Sequence, residues 1–139
     1  MNVAFRIGPD NVKTGLGVLV RDSKGVVAAA MCSTLQWSGD VIQAHARSIL
    51  VALKFAYDIG LRLIELDVGC TELLGLLHKG SPCYAPMGVL VDDICFWISC
   101  FKFLSFSVIR KDCNKASQAL ATEALSSNFE QVWLEDHSA

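Results

Sequence analysis

Charge is scarce in this chain. Of its 139 residues only 19% are Asp, Glu, Lys or Arg, and the formal net charge is −2. No global positive field therefore draws it to nucleic acid or to an anionic membrane, although local binding is left open. Long apolar runs are missing as well. The most apolar region, Ile94 to Ile109, is broken by Ser99, Lys102, Ser105 and Ser107. It falls short of the ~20 unbroken apolar residues a membrane span requires. None of the six cysteines stands in a Cys-x-x-Cys pair, which removes the usual zinc and redox spacings. Proline is rare, at three residues, and no linker, repeat or low-complexity segment interrupts the chain.

What is abundant is hydrophobic side chain, at 53%. That composition argues for a packed core and against disorder. A chain of this length is expected to form one domain, spanning 1–139, that buries roughly 68% of the surface its unfolded form exposes. With no signal peptide ahead of a strand-like start, the cysteines are expected to be reduced, mostly buried thiols of an intracellular protein.

Read in order, Asn2–Arg6 is a short strand and Gly15–Arg21 a second. Asp22-Ser23-Lys24-Gly25 is a tight-turn cluster, and Val26–Ser33 is its antiparallel partner. Asp40 predicts the N-cap of a long helix reaching Ile59, with Ile42, Ala46, Ile49, Leu53 and Ala56 as its buried stripe. Gly60 supplies the stop. Leu63–Asp67 reads as a fourth strand and Thr71–His78 as a short helix. A further helix opens at Pro86 and runs to Ser99. Leu104–Ile109 is predicted as a fifth strand. Lys115–Ser127 is a last helix, with Ala116, Ala119, Leu120 and Ala124 inward. The order β-β-β-α-β-α-α-β-α implies an α/β fold: a five-stranded mixed sheet, three antiparallel strands then parallel ones, flanked by helices. Val132, Trp133 and Leu134 remain as a small apolar tail that docks on the body or on a partner.

Several of these segments, in order and spacing, resemble the ribonuclease H-like domain, in its divergent plant and retroelement branch. Asn2-Val3-Ala4-Phe5 is similar to that branch's first strand. Gly15-Leu16-Gly17-Val18-Leu19-Val20-Arg21-Asp22 is similar to its second. Ala44-His45-Ala46 with Ala52-Leu53 falls on its first helix. Asp67-Val68-Gly69-Cys70 stands where the branch carries Glu-Ser-Asp-Ser. Arg110-Lys111-Asp112-Cys113-Asn114 with Ala119-Leu120-Ala121 resembles its last loop and helix. The match covers about the whole chain.

The resemblance implies a fold whose enzymes cut the RNA strand of RNA–DNA hybrids with two divalent metals. Such a site needs several carboxylates converging on ions ~4 Å apart, because Mg²⁺ requires hard oxygen ligands. The family's four acidic positions fall here on Ala4 (or in a gap just before it), His45, Gly69 and Gln118. Imidazole is a poor Mg²⁺ ligand, an amide offers one neutral oxygen and glycine offers none. The catalytic set is therefore expected to be absent. Mg²⁺, the cofactor of active relatives, is not expected to bind, and no metal site is expected. Asp67 replaces nothing, since the family commonly carries a second acid at that position. Asp10 and Glu72 lie outside the cluster.

For nucleic-acid contact the resemblance points to Gly15, Gly17, Arg110, Lys111, Asn114 and Lys115. The two glycines either let a backbone approach or only permit strand twist. The basic cluster is either a phosphate contact or a solvated loop. His45 reads as a tolerated polar helix residue. Phe96, Trp97, Phe101, Phe103 and Phe106 read as core rather than base-stacking platforms. Three functions follow as expectations. One is a degenerate, retroelement-derived module that binds hybrid or duplex weakly. A second is a protein-interaction or self-associating domain. The third is a true hybrid ribonuclease whose metal site lies elsewhere.

Overall fold

Asp22 turns the chain where the sequence places the first hairpin. Its backbone N–H donates to Val26 O at 2.9 Å, and its carboxylate accepts from Lys24 N and Val26 N at 2.9 and 3.0 Å. Gly25 closes the turn at φ 82°, a left-handed conformation that glycine enters without a Cβ penalty. These details come from a computed structural model that describes residues 1–8, 12–36, 40–79, 88–108, 115–127 and 130–134.

Two compact units make up the chain: Met1–Trp37 with Lys111–Ala139, and Ser38–Arg110. The first unit holds β1 (Asn2–Ile7), β2 (Lys13–Arg21) and β3 (Val27–Gln36), followed by α4 (Lys115–Ser127) and β6 (Gln131–Leu134). β1 pairs with β2 and β2 with β3, both antiparallel. β6 then adds antiparallel to the outer side of β3, with Ala29↔Leu134 and Cys32↔Gln131 at the ends of its register. Among the described residues the expected five strands are thus six. The apolar tail docks on its own body as a strand, because the Ala29–Cys32 stretch of β3 offers it an edge on the side away from β2.

The face that α4 turns to this sheet keeps the expected Ala124 but otherwise differs from the expected one. Ser117, Ala121 and Ala124 are fully buried, whereas Ala116 and Ala119 are exposed and Leu120 is half-buried. The cause lies in β2. A Cβ on Gly17 would meet Ala121 N at 2.7 Å and Leu120 Cβ at 2.8 Å, and Ser117 O closer still. A Cβ on Gly15 would meet Leu125 Cγ at 2.8 Å and overlap Ala121 O. Two glycines on one face of a strand let the helix backbone sit directly on the sheet.

The second unit holds α1 (Val41–Asp58), β4 (Leu63–Val68), α2 (Thr71–Lys79), α3 (Gly88–Ser99) and β5 (Phe103–Val108). Asp40 caps α1 by accepting from Ile42 N at 3.0 Å. Gly60, at φ 94°, ends it, with Leu61 N donating back to Ala56 O at 3.0 Å. Ala46, Ile49, Leu53 and Ala56 are buried as the spacing predicts, while Ile42 is only half-buried beside the cap. β4 and β5 pair in parallel from Leu63↔Phe103 to Val68↔Val108. The expected opening of α3 at Pro86 lies outside the described residues.

The aromatic expectation needs correcting. Phe101 is buried, but Phe96 and Phe103 are exposed and Trp97 and Phe106 are half-buried. Tyr57 accounts for part of this arrangement, taking Trp97 and Phe101 edge-on at 5.7 and 6.0 Å between centroids. Among the described residues, no helix is long and apolar enough to cross a membrane.

Candidate functional site

Within the second unit the fold brings together two of the four positions singled out from the sequence. His45 is half-buried, one turn into α1 beside the cap. Gly69 is the first residue beyond β4, and a Cβ built on it would lie 3.5 Å from His45 Cε1. A side chain at 69 and one at 45 would thus share one small volume. That adjacency is what a shared cation site demands, but the groups present are an imidazole and a hydrogen.

The nearby acid is already engaged. Asp67 Oδ1 accepts from Ser107 Oγ at 2.6 Å, the Asp67↔Ser107 register pair of β4 and β5. This serine was missed in the sequence. The signal for it was the alternation Phe103-Leu104-Ser105-Phe106-Ser107, which puts Ser105 and Ser107 on one face of the strand.

Within the first unit, Ala4 is buried and pairs across β1–β2 with Gly17, so its Cβ points to the face that α4 covers. Gln118 sits half-buried in the first turns of α4. The same turn is anchored to β1, since Ser117 Oγ donates to Asn2 O at 3.3 Å. Arg6 Nη1 donates to Thr122 Oγ1 at 3.2 Å, and that hydroxyl donates in turn to Gln118 O at 3.1 Å. Ala4 and Gln118 thus belong to one sheet–helix contact. Neither supplies a carboxylate.

The residues present do not fit a pair of divalent cations. Among the described residues, no three His, Cys, Asp or Glu side chains are grouped so that they could hold a metal ion. Of the positions chosen for nucleic-acid contact, Gly15 and Gly17 are buried, and packing against α4 accounts for both. Lys115 is exposed at the first residue of α4. Arg110, Lys111 and Asn114 lie outside the described residues.

Comparison with solved structures defines the fold. The fold is similar to RNase H1 from the halophilic archaeon Halobacterium salinarum NRC-1, with a TM-score of 0.78 at 20% identity over 90% of this chain and 95% of that one. It is also similar to the N-terminal RNase H domain of Rv2228c from Mycobacterium tuberculosis, at 0.72 and 13% identity, covering 91% of each chain. A third likeness is LC11-RNase H1, solved in complex with RNA/DNA hybrid, at 0.71 and 16% identity, covering 90% of this chain and 94% of that one. The architecture is an α/β, ribonuclease H-like fold with, among the described residues, six strands of mixed orientation and four helices. The chain belongs to the Reverse transcriptase-like family, whose model matches residues 2–124. No curated protein matches it in sequence.

Proposed function

We propose that this chain is a ribonuclease H-like nucleic-acid-binding domain that does not cleave, a plant-type, retroelement-derived pseudoenzyme. The observation that carries the reading is the His45–Gly69 pair. The two positions are in contact distance, as a shared site would need, yet they offer one soft nitrogen and no oxygen. Two-metal phosphodiester hydrolysis needs both ions held against their mutual repulsion by anionic oxygens. Imidazole and glycine do not do this, and Ala4 and Gln118 add no charge.

Loss of the carboxylates also removes the negative charge that metal ions neutralise in active relatives. A phosphate backbone then meets less repulsion without any cation. The ligand class is supported by the RNA/DNA hybrid bound to LC11-RNase H1. Lys115, with Arg110, Lys111 and Asn114 just ahead of it in sequence, supplies the attraction. A lysine at a helix N-terminus opposes the helix dipole when alone, and it reinforces the N–H groups there when phosphate is present.

Binding by about three phosphates gives a slope of log affinity against log salt of roughly −2 to −3. The test is titration of a labelled hybrid at two salt concentrations, with a cleavage assay in Mg²⁺ or Mn²⁺ on the same preparation. Salt-dependent binding without cleavage is expected. Cleavage that survives removal of contaminating nuclease refutes the inactive reading. Binding unchanged by Arg110→Ala, Lys111→Ala and Lys115→Ala refutes this contact surface. Restoration should need Ala4→Asp, His45→Glu, Gly69→Asp and Gln118→Asp together, because residues of one constellation act as a unit.

A further inference from the structure

The strand missed in the sequence has an open side. Within the first unit the pairing runs β1-β2-β3-β6, so β6 is outermost, and among the described residues no strand lies beyond it. In an antiparallel ladder half of a strand's N–H and C=O groups face its one partner, and the other half point outward. Proteins blunt such an edge with a short strand, lysine, proline or a bulge. β6 is short, at four residues, but carries no lysine or proline. Its last three residues are Val132, Trp133 and Leu134, exposed to 45%, 46% and 59%.

Register decides where these side chains stand. Cys32 pairs with both Gly17 and Gln131, and Ala30 pairs with Trp133. Gln131 and Trp133 therefore lie on the face that α4 covers, and Val132 and Leu134 on the other, beside Met31 and Ala29. The cross-strand neighbours of Trp133 and Leu134 are alanines, too small to cover an indole or an isobutyl group. The edge thus offers backbone hydrogen bonds along its length and apolar surface on both faces.

Charge selects the occupant. Glu130 precedes β6, and Glu135 and Asp136 follow it in sequence, while no Lys or Arg occurs after Lys115. A second copy would bring the same acids, and no Lys or Arg of this segment, to the edge, and like charges facing one another across a ladder are destabilising. Nucleic acid is disfavoured by the same acids.

We propose that the free edge of β6 binds an extended segment of a partner protein as an added strand, and that this segment carries apolar residues flanked by lysine or arginine. Main-chain hydrogen bonds give the affinity, and the acidic flanks choose the sequence. This surface is independent of the nucleic-acid reading above.

The test uses the full chain and a short labelled peptide of alternating valine and threonine, with a pair of lysines at each end, followed by fluorescence anisotropy. Two control peptides accompany it, one N-methylated at the central amides and one with glutamate flanks. Saturable binding of the first peptide is expected, weakened about tenfold or more in each control. The exposed Glu130→Lys variant, which disturbs no buried contact, should shift preference toward the glutamate-flanked peptide. Four results overturn the proposal. They are no saturable binding below millimolar peptide, equal binding of the N-methylated peptide, displacement of the peptide by RNA/DNA hybrid, and a protein dimer in sedimentation that Trp133→Ala dissolves.

Discussion

Replacing Gly17 by alanine adds one methyl group at a point where the fold has no room for it. The new Cβ would overlap Ser117 O and come within 2.7 Å of Ala121 N. Both are backbone atoms of α4, so no rotamer change relieves the contact and the helix itself must move off the sheet. Overpacking of a core costs about 1–3 kcal/mol, and a rigid backbone obstacle belongs at the upper end. Alanine recovers about 0.5–1 kcal/mol by restricting the unfolded chain. The net expectation is destabilisation by about 2–2.5 kcal/mol. For a domain of this size that lowers the thermal midpoint by roughly 7–9 °C. Gly15→Ala should behave alike, and the double variant should cost less than the sum, because one displacement of α4 relieves both clashes. Gly75→Ala is the internal control. Gly75 lies mid-helix in α2 with nothing within 4 Å of a built Cβ, so the change should stabilise by about 0.5–1 kcal/mol. Urea unfolding of the wild type and these variants measures all of it. A Gly17→Ala protein within about 0.5 kcal/mol of wild type, or a Gly75→Ala protein equally damaged, refutes the close-packing argument.

Thr14 is buried on β2, and its hydroxyl has no hydrogen-bond partner among the described residues; Thr14→Val should raise stability by about 1 kcal/mol, read as a higher urea midpoint. Asp40→Ala should lower it by about 1 kcal/mol by leaving the first N–H groups of α1 without their acceptor. Burial pushes the Cys32 thiol above its ordinary range, opposed by the Gln131 N–H that donates to the sulfur and reinforced by the Glu123 charge. The folded state therefore keeps a thiol that the unfolded chain ionises. That contribution is fully present below the unfolded pKa and is lost as pH rises through the folded one. Unfolding curves at neutral and alkaline pH should show a steeper loss for wild type than for Cys32→Ala, and parallel curves would contradict it.

Most of the elements were legible because their signals are local. Asp40 before an apolar 3.6-residue stripe, Gly60 behind it and the Asp22–Gly25 cluster each settle a backbone choice within a few residues. Periodicity alone could then separate strand from helix. That Ala4, His45, Gly69 and Gln118 carry no carboxylate was equally plain, since it is a matter of residue type. That His45 and Gly69 stand side by side was not legible from either residue alone; it depends on α1 and the end of β4 meeting. The inward face of α4 was misread for a related reason. A stripe of alanines and leucine looks buried by hydrophobicity, yet Ser117 and Ala121 face the sheet because Gly15 and Gly17, about a hundred residues earlier, clear the space for them. β6 escaped for a third reason. Four residues carry too little alternation to announce a strand, and what makes Gln131–Leu134 one is the unfilled edge of β3. Residue types and short-range spacing determined most of the elements. Helix-on-glycine contact and edge pairing belong to two segments at once, and only the tertiary structure could decide them.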